Sequence, residues 1–79
     1  MSSDEFRSIL SRKPFQPVSV RLVSGDRVPL RRAQNATVFH PTAIIGVDED
    51  PETGYARRMW IVPLTDIAAV EDVALDEAA

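Results

Sequence analysis

Cysteine is absent from this chain of 79 residues. That excludes disulfide staples and thiolate metal ligands together. Aromatic residues are scarce, at three Phe, one Trp and one Tyr, and histidine occurs once. A stacking platform for bases or a histidine metal centre therefore has little material to be built from. No apolar run approaches the ~20 residues of a membrane-spanning helix, so no membrane partner is expected. The opening MSSDEFRSIL puts acids where a secretory signal needs a basic region and an apolar stretch, and the expected compartment is the cytoplasm.

What is present describes one small folded domain over residues 1–79, with 44% hydrophobic and 27% charged residues. A core of this size typically leaves only ~3–5 kcal/mol of net stability. Charge is unevenly spread. Residues 1–40 carry a balance of +4 and residues 41–79 a balance of −7, which together give the net −3. Such a split marks either a basic binding face or two surfaces that attract one another.

Ser2 followed by Glu5 is the spacing of a capping box, and Phe6, Ile9 and Leu10 then share one helical face. Pro14 ends the pattern, which predicts a helix over 3–12. A helix so short does not persist alone in water and needs a sheet to lie against. Val18, Val20 and Leu22 alternate with polar or outward positions, Ser24-Gly25-Asp26 supplies a turn, and Val28 and Leu30 continue the inner face. Alternation puts Arg21, Arg27 and Arg31 together on the outer face of that hairpin, a candidate basic face.

Short strands follow at about 36–39 and 43–47, with Pro41 between them, then an exposed acidic loop at 48–55. RRMWIVPL is the most apolar stretch, with Met59 and Ile61 on one face and Trp60 and Val62 on the other. Something must cover its second face. A short helical turn at LTDI and a last brief strand complete a β meander over 18–72, ahead of an acidic tail at 73–79. The predicted class is mainly β, an N-terminal helix plus a five-stranded antiparallel meander forming a small barrel or curled sheet.

That order resembles the small SH3-like barrels and, with its N-terminal helix, the Sm-like variety. The Sm-like family binds RNA through an Asp-aromatic-Asn type of loop and a Gly-bearing loop after its fourth strand. Here those places read TVFHPT and PLTDI, which do not match, so the resemblance carries no RNA role onto any residue. RKPFQPVSVRLVSGDRVPL together with His40-Pro41 also looks like a group of small bacterial proteins that open on a Lys-Pro-Phe-x-Pro element. That resemblance implies a bacterial origin and a single domain, and no activity.

The candidate chemistry is thin. His40 stands alone, with no Ser or carboxylate at a telling spacing. Asp48, Glu49, Asp50 and Glu52 lack the spacing of a calcium loop and read as a solvated loop. Asp66 reads as a cap, Trp60 as core or interface, and Lys13-Pro14-Phe15 with Pro17 as the crossover from helix to sheet. Catalytic residues, cofactor and metal are all expected to be absent, making the chain a non-enzymatic module that acts through self-association or protein contacts. The alternatives are a nucleic-acid-binding protein using Arg21, Arg27 and Arg31, or a small enzyme. The doubly apolar strands predict a homo-oligomer, with a dimer favoured and Trp60, Val62 and Ile45 as the candidate interface.

Overall fold

The computed structural model describes residues 1–73. All of the expected acidic tail at 73–79 except Val73 lies outside the described residues. Helix α1 spans Ser3–Leu10 and begins on the expected capping box, with the Ser2 side chain accepting from the Glu5 N–H and the Glu5 side chain accepting from the Ser2 N–H. It stops two residues sooner than the periodicity suggests: the Ser11 N–H still donates to the Arg7 carbonyl at 3.0 Å, but the Arg12 N–H turns to the nearer Ile9 carbonyl at 3.3 Å, a tightened last turn.

Six strands follow: β1 (Val18–Leu22), β2 (Arg27–Leu30), β3 (Ala36–Phe39), β4 (Thr42–Glu49), β5 (Ala56–Pro63) and β6 (Ile67–Asp72). They form two three-stranded antiparallel sheets, ordered β2-β1-β6 and β3-β4-β5. The mainly β class with one N-terminal helix is as expected; of the two forms expected, a small barrel or a curled sheet, the closed barrel does not form, and six strands stand where five were expected. The brief segment 36–39 makes a full strand against β4, from Ala36 opposite Ile45 to Phe39 opposite Thr42. The second sheet then ends on β5, which leaves two facing sheets with free edges.

Local chemistry explains the connections. Gly25 takes a φ of +97° in the β1–β2 turn, where a side chain would be strained. Its N–H donates to the Leu22 carbonyl at 2.9 Å, and the Leu22 N–H donates to the Asp26 carbonyl at 2.8 Å. Between β5 and β6, Leu64–Asp66 form one tight helical turn, as read from LTDI.

The core lies between the sheets. Val18, Val20, Leu22, Val28 and Leu30 come from the first sheet, and Ala43, Ile45 and Val62 from the second. Leu64 and Ile67 join them beside the second tight turn. Phe6 enters from the helix and is fully buried, with Leu10 and Phe15 packed against the cluster from its edge. Two outward positions of β5, Met59 and Ile61, stay exposed. The helix therefore plugs the core instead of covering the outer apolar face.

Removing the Phe6 ring should cost ~3–5 kcal/mol, comparable to the whole net stability of a core this small. We expect Phe6→Ala to be largely unfolded at 25 °C by circular dichroism. Ile9→Ala, at a position outside the core cluster, should shift stability by no more than about 0.5 kcal/mol in denaturant titration.

Candidate functional site

Apart from the Arg7–Asp4 and Arg12–Asp72 pairs, the ion pairs of the described residues gather in two places. The first lies on the outer face of the β2-β1-β6 sheet. Arg21 stands directly opposite Arg27 in the β1–β2 register, a like-charge pairing that is unfavourable on its own. Glu71 on β6 resolves it. Its Oε1 accepts from Arg21 Nε at 3.2 Å and from an Arg27 guanidinium nitrogen at 3.1 Å. Two of the three arginines of the candidate basic face are thus held by a carboxylate of their own chain. Arg31, just past β2, is exposed and makes no ion pair among the described residues.

The second cluster lines a cleft of about 460 Å³ between the end of β2 and the end of β4. Arg31 and Arg32 form one wall, and Asp48, Glu49 and Asp50 the other. Arg32 Nε lies 3.5 Å from Glu49 Oε2, while the other oxygen of Glu49 accepts from the Asn35 amide. Two glycines make this approach possible. A Cβ on Gly46 would lie 2.5 Å from that of Ala56, and one on Gly54 would lie 3.3 Å from the Arg32 guanidinium. Gly54 also has a φ of +77°.

The loop itself is tied by its acids. Asp48 has a φ of +58°, a left-handed conformation that Asp tolerates better than most residues, and it lies 3.7 Å from Arg58 Nε. Asp50 Oδ1 accepts from the Glu52 N–H at 2.8 Å and the Thr53 N–H at 3.4 Å, and Oδ2 faces Arg57 at 3.4 Å. These contacts, the Glu52 N–H foremost, hold the Asp50 carboxyl below its ordinary value, against a smaller opposing effect of burial. Each acid at 48–50 thus faces an arginine, with Glu49 also accepting from the Asn35 side-chain amide and Asp50 from two backbone amides. No group of three or more His, Cys, Asp or Glu side chains that could hold a metal ion occurs among the described residues.

The other sequence candidates are dispersed. Trp60 is 41% exposed at the β5 edge, whereas Ile45 and Val62 are fully inside this chain's own core. They were expected at an interface because both faces of their strands are apolar. Period-2 alternation instead turns Ile45 and Val62 inward beside Ala43, and leaves the outward positions, Met59 and Ile61, exposed. His40 does meet a serine, with Ser3 Oγ 2.8 Å from its Nδ1. The pair is exposed, and the ring makes no second hydrogen bond among the described residues that would orient it as a general base. It fastens the start of α1 to the end of β3. Sequence reasoning missed this contact, and also the Arg32–Glu49–Asn35 network, since neither register nor loop return is written in local spacing.

No family model and no solved structure matches this chain. A protein of Streptomyces ambofaciens called "MutT-like protein" is 41% identical to it over 51 residues. The match takes in 60% of this chain and 33% of that protein, so the chain spans about a third of the relative it matches. A relative of that name points toward an enzyme. The expectation of a non-enzymatic module is corrected on that finding: it had rested on the lack of any catalytic spacing in this chain.

Two outcomes follow from the charge clusters. Glu71→Gln leaves Arg21 and Arg27 opposed without a carboxylate, and should cost about 1 kcal/mol in denaturant titration, more at low salt. Asp50 should titrate below 3.8 by NMR. A depressed folded-state carboxyl contributes stability that is present above the unfolded value of ~3.9 and is lost as pH falls through the lower folded value. Asp50→Asn should accordingly flatten the acid limb of the stability curve below about pH 4.

Proposed function

We propose that this chain serves a hydrolase of the MutT-like (Nudix) class and supplies the part of its site that holds an anionic, phosphate-bearing group. The observation that carries this reading is the 41% identity over 51 residues to the Streptomyces ambofaciens protein. The arginines of the cleft support it. Arg31 and Arg32 share one wall of that cleft, and Arg31 has its guanidinium uncommitted among the described residues. Guanidinium groups bind phosphate oxygens through paired N–H donors in a fixed fork.

Arg32 is oriented for this by Glu49, which takes its Nε and leaves the outer nitrogens of the guanidinium for a ligand. Metal-assisted hydrolysis would need carboxylates grouped around a cation. The described residues do not fit one, because the acids at 48–50 face arginines and amides. No step is therefore routed through a metal here. The chain's contribution is to bind and orient the anion beside the cleft. We place this activity in the cytoplasm, where a chain without cysteine is indifferent to reducing conditions.

The test is calorimetric binding of inorganic pyrophosphate to the purified chain. Binding at millimolar concentration or tighter is expected, and it should weaken about tenfold in Arg31→Ala, the loss of roughly one charge-assisted contact. No pyrophosphate binding at millimolar concentration would sink the proposal.

A further inference from the structure

The β5 strand is the outermost member of its sheet, eight residues long, with Arg57 through Ile61 all exposed. Its bonding pattern shows which groups are free. The Leu64 N–H donates to the Pro41 carbonyl at 2.9 Å, in line with the register that sets Val62 opposite Ala43 and Trp60 opposite Ile45. Antiparallel strands bond through every second residue on each side. Val62 and Trp60 therefore spend their main-chain groups on β4, and those of Arg57, Met59 and Ile61 point away from the sheet. Pro63, next in that series, has no N–H to offer.

A run of unpaired N–H and C=O groups on a flat edge is a template for another strand. We infer that the occupant is a second copy of this chain, bound by antiparallel β5–β5 pairing about a two-fold axis at Met59. The argument is self-complementarity. With Met59 on the axis, Arg57 faces the partner's Ile61, and all three residues with free main-chain groups find partners of the same kind. The pairing closes about six main-chain hydrogen bonds, and Pro63 falls beyond the paired segment. The intervening residues match as well. Arg58, whose side chain is 75% exposed, comes to lie beside the partner's Trp60, 41% exposed, in the closer non-hydrogen-bonded type of pair. A guanidinium over an indole is attractive, and the arrangement occurs twice by symmetry.

The interface is small. The exposed parts of Met59, Trp60 and Ile61 with the strand edge amount to on the order of 400 Å² per copy, about half of what a standard interface buries, as in weak and transient association. The dimer should therefore form only at high protein concentration and dissociate on dilution. This inference does not rest on the hydrolytic reading.

Because the chain has no cysteine, a single introduced thiol reports the register. In the proposed pairing the two copies of residue 59 have Cα atoms ~5.5 Å apart, within disulfide reach. Met59→Cys should cross-link into a dimer under mild oxidation, and Ile61→Cys should not. Light scattering of the unmodified protein should show a dimer at ~100 μM and a monomer near ~1 μM. Met59→Lys should raise the dissociation constant at least about tenfold while leaving circular dichroism unchanged, as a charge on an edge strand does. A monomer at ~100 μM, or a dimer that cross-links through residue 61 and not 59, would overturn the proposal.

Discussion

Everything in this molecule depends on burying the inner faces of two small sheets against each other with Phe6 as the plug. Without a disulfide or described metal cluster, the apolar contact between Val18, Val20, Val28 and Leu30 on one side and Ala43, Ile45 and Val62 on the other is the main source of stability. Phe6 is the largest fully buried side chain and comes from outside both sheets. The capping box and the Ser3–His40 contact are the means by which an eight-residue helix is held in place to deliver it. A helix used as a plug cannot also shield the outer face of β3-β4-β5. The exposed edge of β5 and its arginines follow from that choice.

The polar residues do local work around this core. Glu71 separates two arginines that the β1–β2 register forces into opposition. Glu49 and Asp50 tie the long β4–β5 loop to Arg32 and Arg57. Arg31, which makes no ion pair among the described residues, and the free side of β5 are places where a ligand or a second chain gains contacts.

Much of the fold was legible in the residues. The capping box, the alternation at 18–30 and Gly25 each express a single local rule, and each element formed where that rule put it. Closure was less legible, because whether the strands join into a barrel or split into two sheets depends on long-range pairings that no local rule specifies. Site reasoning met the same limit. Glu49 lies 14 residues from Asn35 and 17 from Arg32 in sequence, and the three meet where Gly46 lets the backbones approach closely. The non-enzymatic reading failed for a different reason. It was overturned by a likeness to another protein over 51 residues, and not by any spacing within the chain itself.

The central claim is that the core closes upon itself and leaves β5 bonded on one side only. Residue-resolved amide hydrogen exchange tests it directly. The amides of Trp60 and Val62, bonded to β4, should exchange slowly at every protein concentration. Those of Met59 and Ile61 should exchange fast in dilute solution and slow only as concentration rises. If all four amides exchanged alike at every concentration, β5 would not have one bonded and one free side, and the account would be wrong.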